Sequence, residues 1–173
     1  MRRSHRAHLA EELERRVMLA SAVAAFAPQV TFGVGSQPRA VATADVNADG
    51  KLDLVVSNGA AGTVGVLLGN GSGGFGTQAT FSAGTTPFGV AVGDLNRDGR
   101  LDLVTANNGS GNVSVLLGNG NGTFAGQQVL AAGTQARFVS VADVNGDGRP
   151  DLVVANYGAA TGTVSVLLGA AKQ

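Results

Sequence analysis

The chain has 173 residues, 44% of them apolar, with zero formal net charge and no cysteine. That is room for one domain with its own core, and it leaves no charge field to gather nucleic acid or coat an anionic membrane. Twenty-seven glycines beside seven phenylalanines, one tyrosine and no tryptophan imply many tight turns around a core of Val, Leu and Ala.

Residues 1–28 differ in kind from the rest. Arg2, Arg3 and Arg6 open the chain, a charged stretch runs from Glu11 to Arg16, and an apolar run from Val17 to Ala27 follows. That run is roughly half of what a bilayer crossing needs, so no membrane span is expected. A basic region, then an apolar one, then small residues at Ala22-Val23-Ala24 is the order of an export signal. Leu13-Glu14-Arg15-Arg16-Val17-Met18-Leu19 also resembles the LEPR-XLL type of bacterial sorting segment, with Arg15 in place of its proline.

From residue 29 to 173 the sequence repeats with a period of 49: the segment beginning at Gln29 recurs from Gln78 without a gap, and a third copy starts near Gln127. The third copy has a two-residue insertion around Ala159 to Thr161. In the second copy four apolar stretches of strand length are expected, at Val90 to Leu95, Leu101 to Ala106, Asn112 to Leu117 and Phe124 to Ala131. They are rich in valine, and Asn-Gly, Gly-Ser-Gly and Gly-Asn-Gly separate them, where a helix would break. Alternation through Val113, Val115 and Leu117 suggests one strongly buried face. Four antiparallel strands in about 49 residues is one blade of a β-propeller, so the expected fold is all-β, with three four-stranded blades.

The acidic residues are distributed with the same period. All three glutamates and both histidines fall in the first fourteen residues, and the nine aspartates fall in three clusters. These read Asp45-Val46-Asn47-Ala48-Asp49-Gly50-Lys51-Leu52-Asp53, then Asp94 to Asp102 and Asp143 to Asp151. Oxygen-bearing side chains stand at positions one, three, five and nine: Asp45, Asn47, Asp49 and Asp53; Asp94, Asn96, Asp98 and Asp102; Asp143, Asn145, Asp147 and Asp151. Calcium takes six to eight oxygens, and such spacing wraps a short loop around it. The backbone carbonyl at position seven, from Lys51, Arg100 or Arg149, would add a ligand, and glycine at position six permits the sharp turn. Three carboxylates in one loop repel each other, which a divalent cation relieves. About three Ca2+ per chain are expected; the rival is a surface hairpin rich in Asx turns with no metal. An EF-hand is excluded, because its twelfth position needs a bidentate glutamate and here holds Val56, Thr105 or Val154.

With their calcium loops and, in the second copy, Phe88-Gly89 ahead of the loop, these units resemble the FG-GAP or VCBS repeats of integrin-α-like propellers. The resemblance covers residues 29 to 173 and implies a calcium loop between the first two strands of each blade, in rings of six or seven blades. Since no His, Glu or Cys follows residue 28, general acid–base catalysis lacks its usual groups, leaving Lys51, Lys172 and Tyr157 as scattered candidates. The expected function is a non-catalytic, secreted or cell-surface interaction, adhesion or scaffold module with an extracellular protein or glycan partner. The alternatives are a calcium-dependent lectin-like propeller and a fragment of a larger secreted enzyme. Phe75, Phe88, Phe124 and Phe138 are expected to pack between blades, because a sugar site wants a free aromatic platform. A homodimer completing a six-bladed ring is expected from the match of Gln29 to Gly35 with a fourth strand.

Overall fold

The computed structural model describes residues 26–158 and 161–170. The chain divides into two units, Met1–Thr31 and Phe32–Gln173. In the first, the described residues 26–31 carry no regular structure, and the expected export segment otherwise lies outside the described residues. Among the described residues no helix is long and apolar enough to cross a membrane.

The described residues of the second unit form eleven strands in three antiparallel sheets. Blade 1 orders β1 (Pro38–Ala44), β2 (Asp53–Asn58), β3 (Thr63–Leu67) and β4 (Ala79–Ser82) as 1-2-3-4. Blade 2 repeats this with β5 (Pro87–Gly93), β6 (Asp102–Asn107), β7 (Asn112–Leu116) and β8 (Gln128–Ala131). Blade 3 has β9 (Ala136–Ala142), β10 (Asp151–Asn156) and β11 (Thr163–Leu167). The all-β propeller-type architecture is therefore as expected, but among the described residues the third blade has three strands rather than four, and the sheets do not close into a ring.

Two boundaries also moved. The first strand of blade 2 begins at Pro87, and Phe124 precedes the fourth strand, held by an isolated bridge to Gly118 while its ring enters the core. The alternation expected through Val113, Val115 and Leu117 is absent: Val113, Ser114, Val115 and Leu116 of β7 are all buried, as is every residue of β6. A middle strand is covered on both faces because blades stack on either side of it, so polar residues such as Thr105 and Ser114 are buried along with the apolar ones.

Two seams form the core. Val55, Val64 and Val66 of blade 1 pack with Leu103, Leu116 and Phe124 of blade 2, and Val104, Val113 and Val115 of blade 2 pack with Leu152 and Val154 of blade 3. Each such side chain taken fully from water contributes about 1.5–3 kcal/mol. Of the phenylalanines expected between blades, Phe124 meets Phe81 edge-to-face at 5.2 Å and Phe88 meets Phe138 at 5.6 Å, whereas Phe75 pairs with Phe32, ahead of the first strand, at 5.2 Å.

Polar groups fix the register of the seams. The Ala83 carbonyl at the end of blade 1 accepts bonds from the Ser114 and Thr105 hydroxyls of blade 2, at 3.1 and 3.2 Å. The Ala132 carbonyl of blade 2 accepts one from Asn156 Nδ2 of blade 3, at 3.0 Å. Satisfying these buried carbonyls allows each blade to end against its neighbour without a desolvation penalty.

Candidate metal-binding loops

Each aspartate-rich segment is the connection from a blade's first strand to its second. The chain turns there through two left-handed residues. Position four has φ of 59° at Ala48, 60° at Arg97 and 75° at Gly146, and position six has φ of 81°, 83° and 78° at Gly50, Gly99 and Gly148. Glycine is the natural occupant of the second turn, because a Cβ opposes that conformation.

This curl aims successive backbone N–H groups at the first aspartate. Asp45 Oδ1 accepts the Asp49 N–H at 3.1 Å and its Oδ2 accepts that of Gly50 at 2.7 Å. Asn47 Oδ1 also accepts from Asp49, and Asp49 Oδ1 accepts the Lys51 N–H at 3.0 Å. The same four bonds recur around Asp94 and around Asp143. The first, third and fifth positions of each loop are thus brought together at the surface, the first and third half-buried in loops 1 and 2, with their oxygens oriented by one shared set of donors.

The ninth position is different. Asp53, Asp102 and Asp151 are fully buried. Asp102 Oδ2 accepts the Leu95 N–H at 2.9 Å, inside its own loop, and Oδ1 accepts the Gly118 N–H at 2.8 Å, just beyond β7. Asp53 does the same with Val46 and Gly69, and Asp151 with Val144 and Gly169. This carboxylate therefore braces the loop to the third strand. The glycine partners were not singled out from sequence, although the thrice-repeated Leu-Leu-Gly after the third strand was the available signal.

Electrostatics follow these bonds. The Lys51 N–H holds the Asp49 carboxyl below the ordinary carboxylate range, and the Arg149 N–H does the same for Asp147. Burial pushes Asp102 upward, against the pull of its N–H donors. Position-seven side chains fold onto the fifth: Lys51 Nζ lies 3.3 Å from Asp49 Oδ2, and Arg149 Nη1 lies 3.0 Å from Asp147 Oδ2. A cationic group thus rests on the carboxylate edge that faces away from the loop amides.

The donor set has the chemistry of a hard-cation site. An ionised carboxylate offers about four lone-pair directions, of which the loop N–H groups use two on Asp45. Among the described residues no three Asp, Glu, His or Cys side chains are grouped to hold a metal by themselves. An ion here would lean on the asparagine oxygen and the position-seven carbonyl as well as two carboxylates. Calcium accepts such mixed oxygen shells, and fewer charged ligands mean weaker binding.

No curated protein matches the sequence. A solved structure of the Photorhabdus luminescens Tc holotoxin pore is similar, at 23% identity and a TM-score of 0.48 over 73% of this chain. The chain spans only 6% of that much longer one. The description FG-GAP-like repeat matches residues 45–105 and again 94–154, each match running from one aspartate loop through the next. With the repeat, the loops and the blades in agreement, the chain belongs to the FG-GAP-like repeat family.

Proposed function

We propose that the chain is a calcium-stabilised, non-catalytic interaction module working outside the cell. Membership of a repeat family that is typically extracellular and generally non-catalytic supports the location and the absence of chemistry. The observation that carries the calcium reading is the threefold recurrence of one donor arrangement, Asp45, Asn47 and Asp49 with their equivalents, each oriented by the same four N–H bonds. Loop 1 is also part of a blade seam: Val46 is 2% exposed within the core, and its carbonyl accepts the Gly122 N–H of blade 2 at 3.2 Å. An ion that orders this loop therefore stiffens the contact between blades.

Binding to the folded state alone adds about 2.7 kcal/mol at a hundredfold excess over Kd. The melting temperature should rise on replacing chelator by millimolar calcium, and less so with magnesium, which demands stricter octahedral geometry. Identical melting in calcium and chelator would refute the reading.

A second element of the proposal is self-association. Val113 and Val115, covered by blade 3, are 0% and 7% exposed, while their counterparts Val164 and Val166 are 66% and 51% exposed. A second copy presents blades of the same make, and its docking toward a six-bladed ring would cover this face. Light scattering in calcium tests it, and a monodisperse monomer would end it.

A further inference from the structure

The inner strands of the three blades enter at the end opposite the aspartate loops, and their second residues are equivalent: Arg39 in β1, Phe88 in β5 and Arg137 in β9. They form a ladder. The Arg39 guanidinium carbon lies 5.5 Å from the Phe88 ring centre, that of Arg137 lies 5.3 Å from the same ring, and Arg137 stacks on Tyr157 at 3.8 Å. Aromatic faces hold guanidinium groups by cation–π attraction and leave their N–H edges free.

Among the described residues neither arginine has a carboxylate partner. Every side-chain carboxylate of the described residues lies in the three loops or at the start of the second strands that follow them. A seven-residue inner strand separates those loops from the ladder by about 20 Å, well beyond a Debye length of about 8 Å at physiological salt. Among the described residues the acceptor on Arg39 is the neutral Gln37 Oε1 at 2.9 Å. The Nε of Arg137 is covered and has no acceptor among the described residues.

We propose that this end of the blades is a binding site for a carboxylate-bearing peptide segment of a partner protein. A guanidinium already fixed by stacking has lost rotamer freedom before it meets a ligand, and its planar fork matches a carboxylate in bidentate fashion. Arginine and tyrosine together are the side chains that carry most energy at protein interfaces, and Phe138, 57% exposed beside the ladder, adds apolar area. A sugar ring is a poorer fit, because the guanidiniums occupy ring faces on which it would stack. The inference rests on the interaction-module reading and names its partner class.

The test is fluorescence anisotropy of the full chain in calcium with a fluorescein-labelled hexaglutamate peptide, a hexaglutamine peptide and polygalacturonate. Hexaglutamate should bind saturably and hexaglutamine should not. Arg39 is exposed, so Arg39→Gln keeps the fold; it should weaken binding about tenfold, as expected for a charge-assisted contact. Arg39→Gln with Arg137→Gln should abolish binding, while Arg97→Gln, at the loop end, should leave it unchanged. Absence of saturable binding, wild-type affinity in Arg39→Gln, or a loss that follows Arg97 instead would overturn the proposal. So would capture of polygalacturonate without hexaglutamate, which would assign the ladder to acidic polysaccharide. None of these outcomes depends on the calcium dependence of melting, so the two readings fail separately.

Discussion

A Cβ placed on Gly89 would lie 2.6 Å from the Arg137 carbonyl oxygen and 2.9 Å from the Cα of Phe138, so β5 and β9 meet backbone to backbone at that point. The glycine of the Phe-Gly pair sets the spacing of blades 2 and 3. Gly89→Ala should force the inner strands apart and cost about 1–3 kcal/mol, the range for overpacking. Urea denaturation measures it; an unchanged midpoint would mean that the seam yields freely.

The two oxygens of Asp102 separate bracing from ion binding. Asp102→Asn places an NH2 group opposite one of the two backbone donors, Leu95 or Gly118. Leaving a buried donor unsatisfied costs about 1–3 kcal/mol, and that loss should be present in chelator as well as in calcium. Asp98→Asn, in the exposed part of the same loop, should cost stability chiefly in calcium. Equal losses from both variants in chelator would contradict the division of labour.

Arg97 holds a left-handed backbone, φ 60°, that the third copy gives to Gly146. For an L residue this conformation costs about 1–2 kcal/mol, and glycine returns about 0.5–1 kcal/mol through its freer unfolded state. Arg97→Gly should therefore stabilise the fold by up to about 1 kcal/mol in chelator. Destabilisation there would show that the arginine side chain contributes more than the turn costs.

Acid should act on the loops in two directions. Asp49 and Asp147 have lowered carboxyl pKa values, from the N–H groups of Lys51 and Arg149. The stability they lend is present above the unfolded value of about 3.9 and is lost as pH falls through their lower folded values. Asp102 is raised by burial, so it takes up its proton first, and its contribution favours the fold below the unfolded value and fades as pH rises through the folded one. Carboxyl NMR titration in chelator should order Asp102 above Asp49 and Asp147; the reverse order would contradict the geometry.

Much of this was legible in the sequence because it is written three times. The 49-residue period and the turn-forming dipeptides gave the blades, and the placement of each loop between first and second strands followed from Leu-Val-Val or Leu-Val-Thr after the last aspartate. The double-sided burial of β7 was not legible, since Val113, Ser114 and Val115 read as alternation until neighbouring blades cover both faces. The brace made by Asp53, Asp102 and Asp151 was hidden for a related reason. Spacing along a loop reveals which oxygens could converge, but not that a glycine sixteen or eighteen residues later competes for one of them. The Arg39, Phe88 and Arg137 ladder escaped because its members differ in type at equivalent positions, and only the stacking of blades makes them neighbours.

The central claim is that each loop holds one calcium ion, and calorimetric titration of the chelator-treated chain tests it most directly. The account predicts about three ions per chain, falling by about one in Asp98→Ala, where loop 2 loses its fifth-position oxygens. A stoichiometry near zero, or one that Asp98→Ala leaves unchanged, would contradict it.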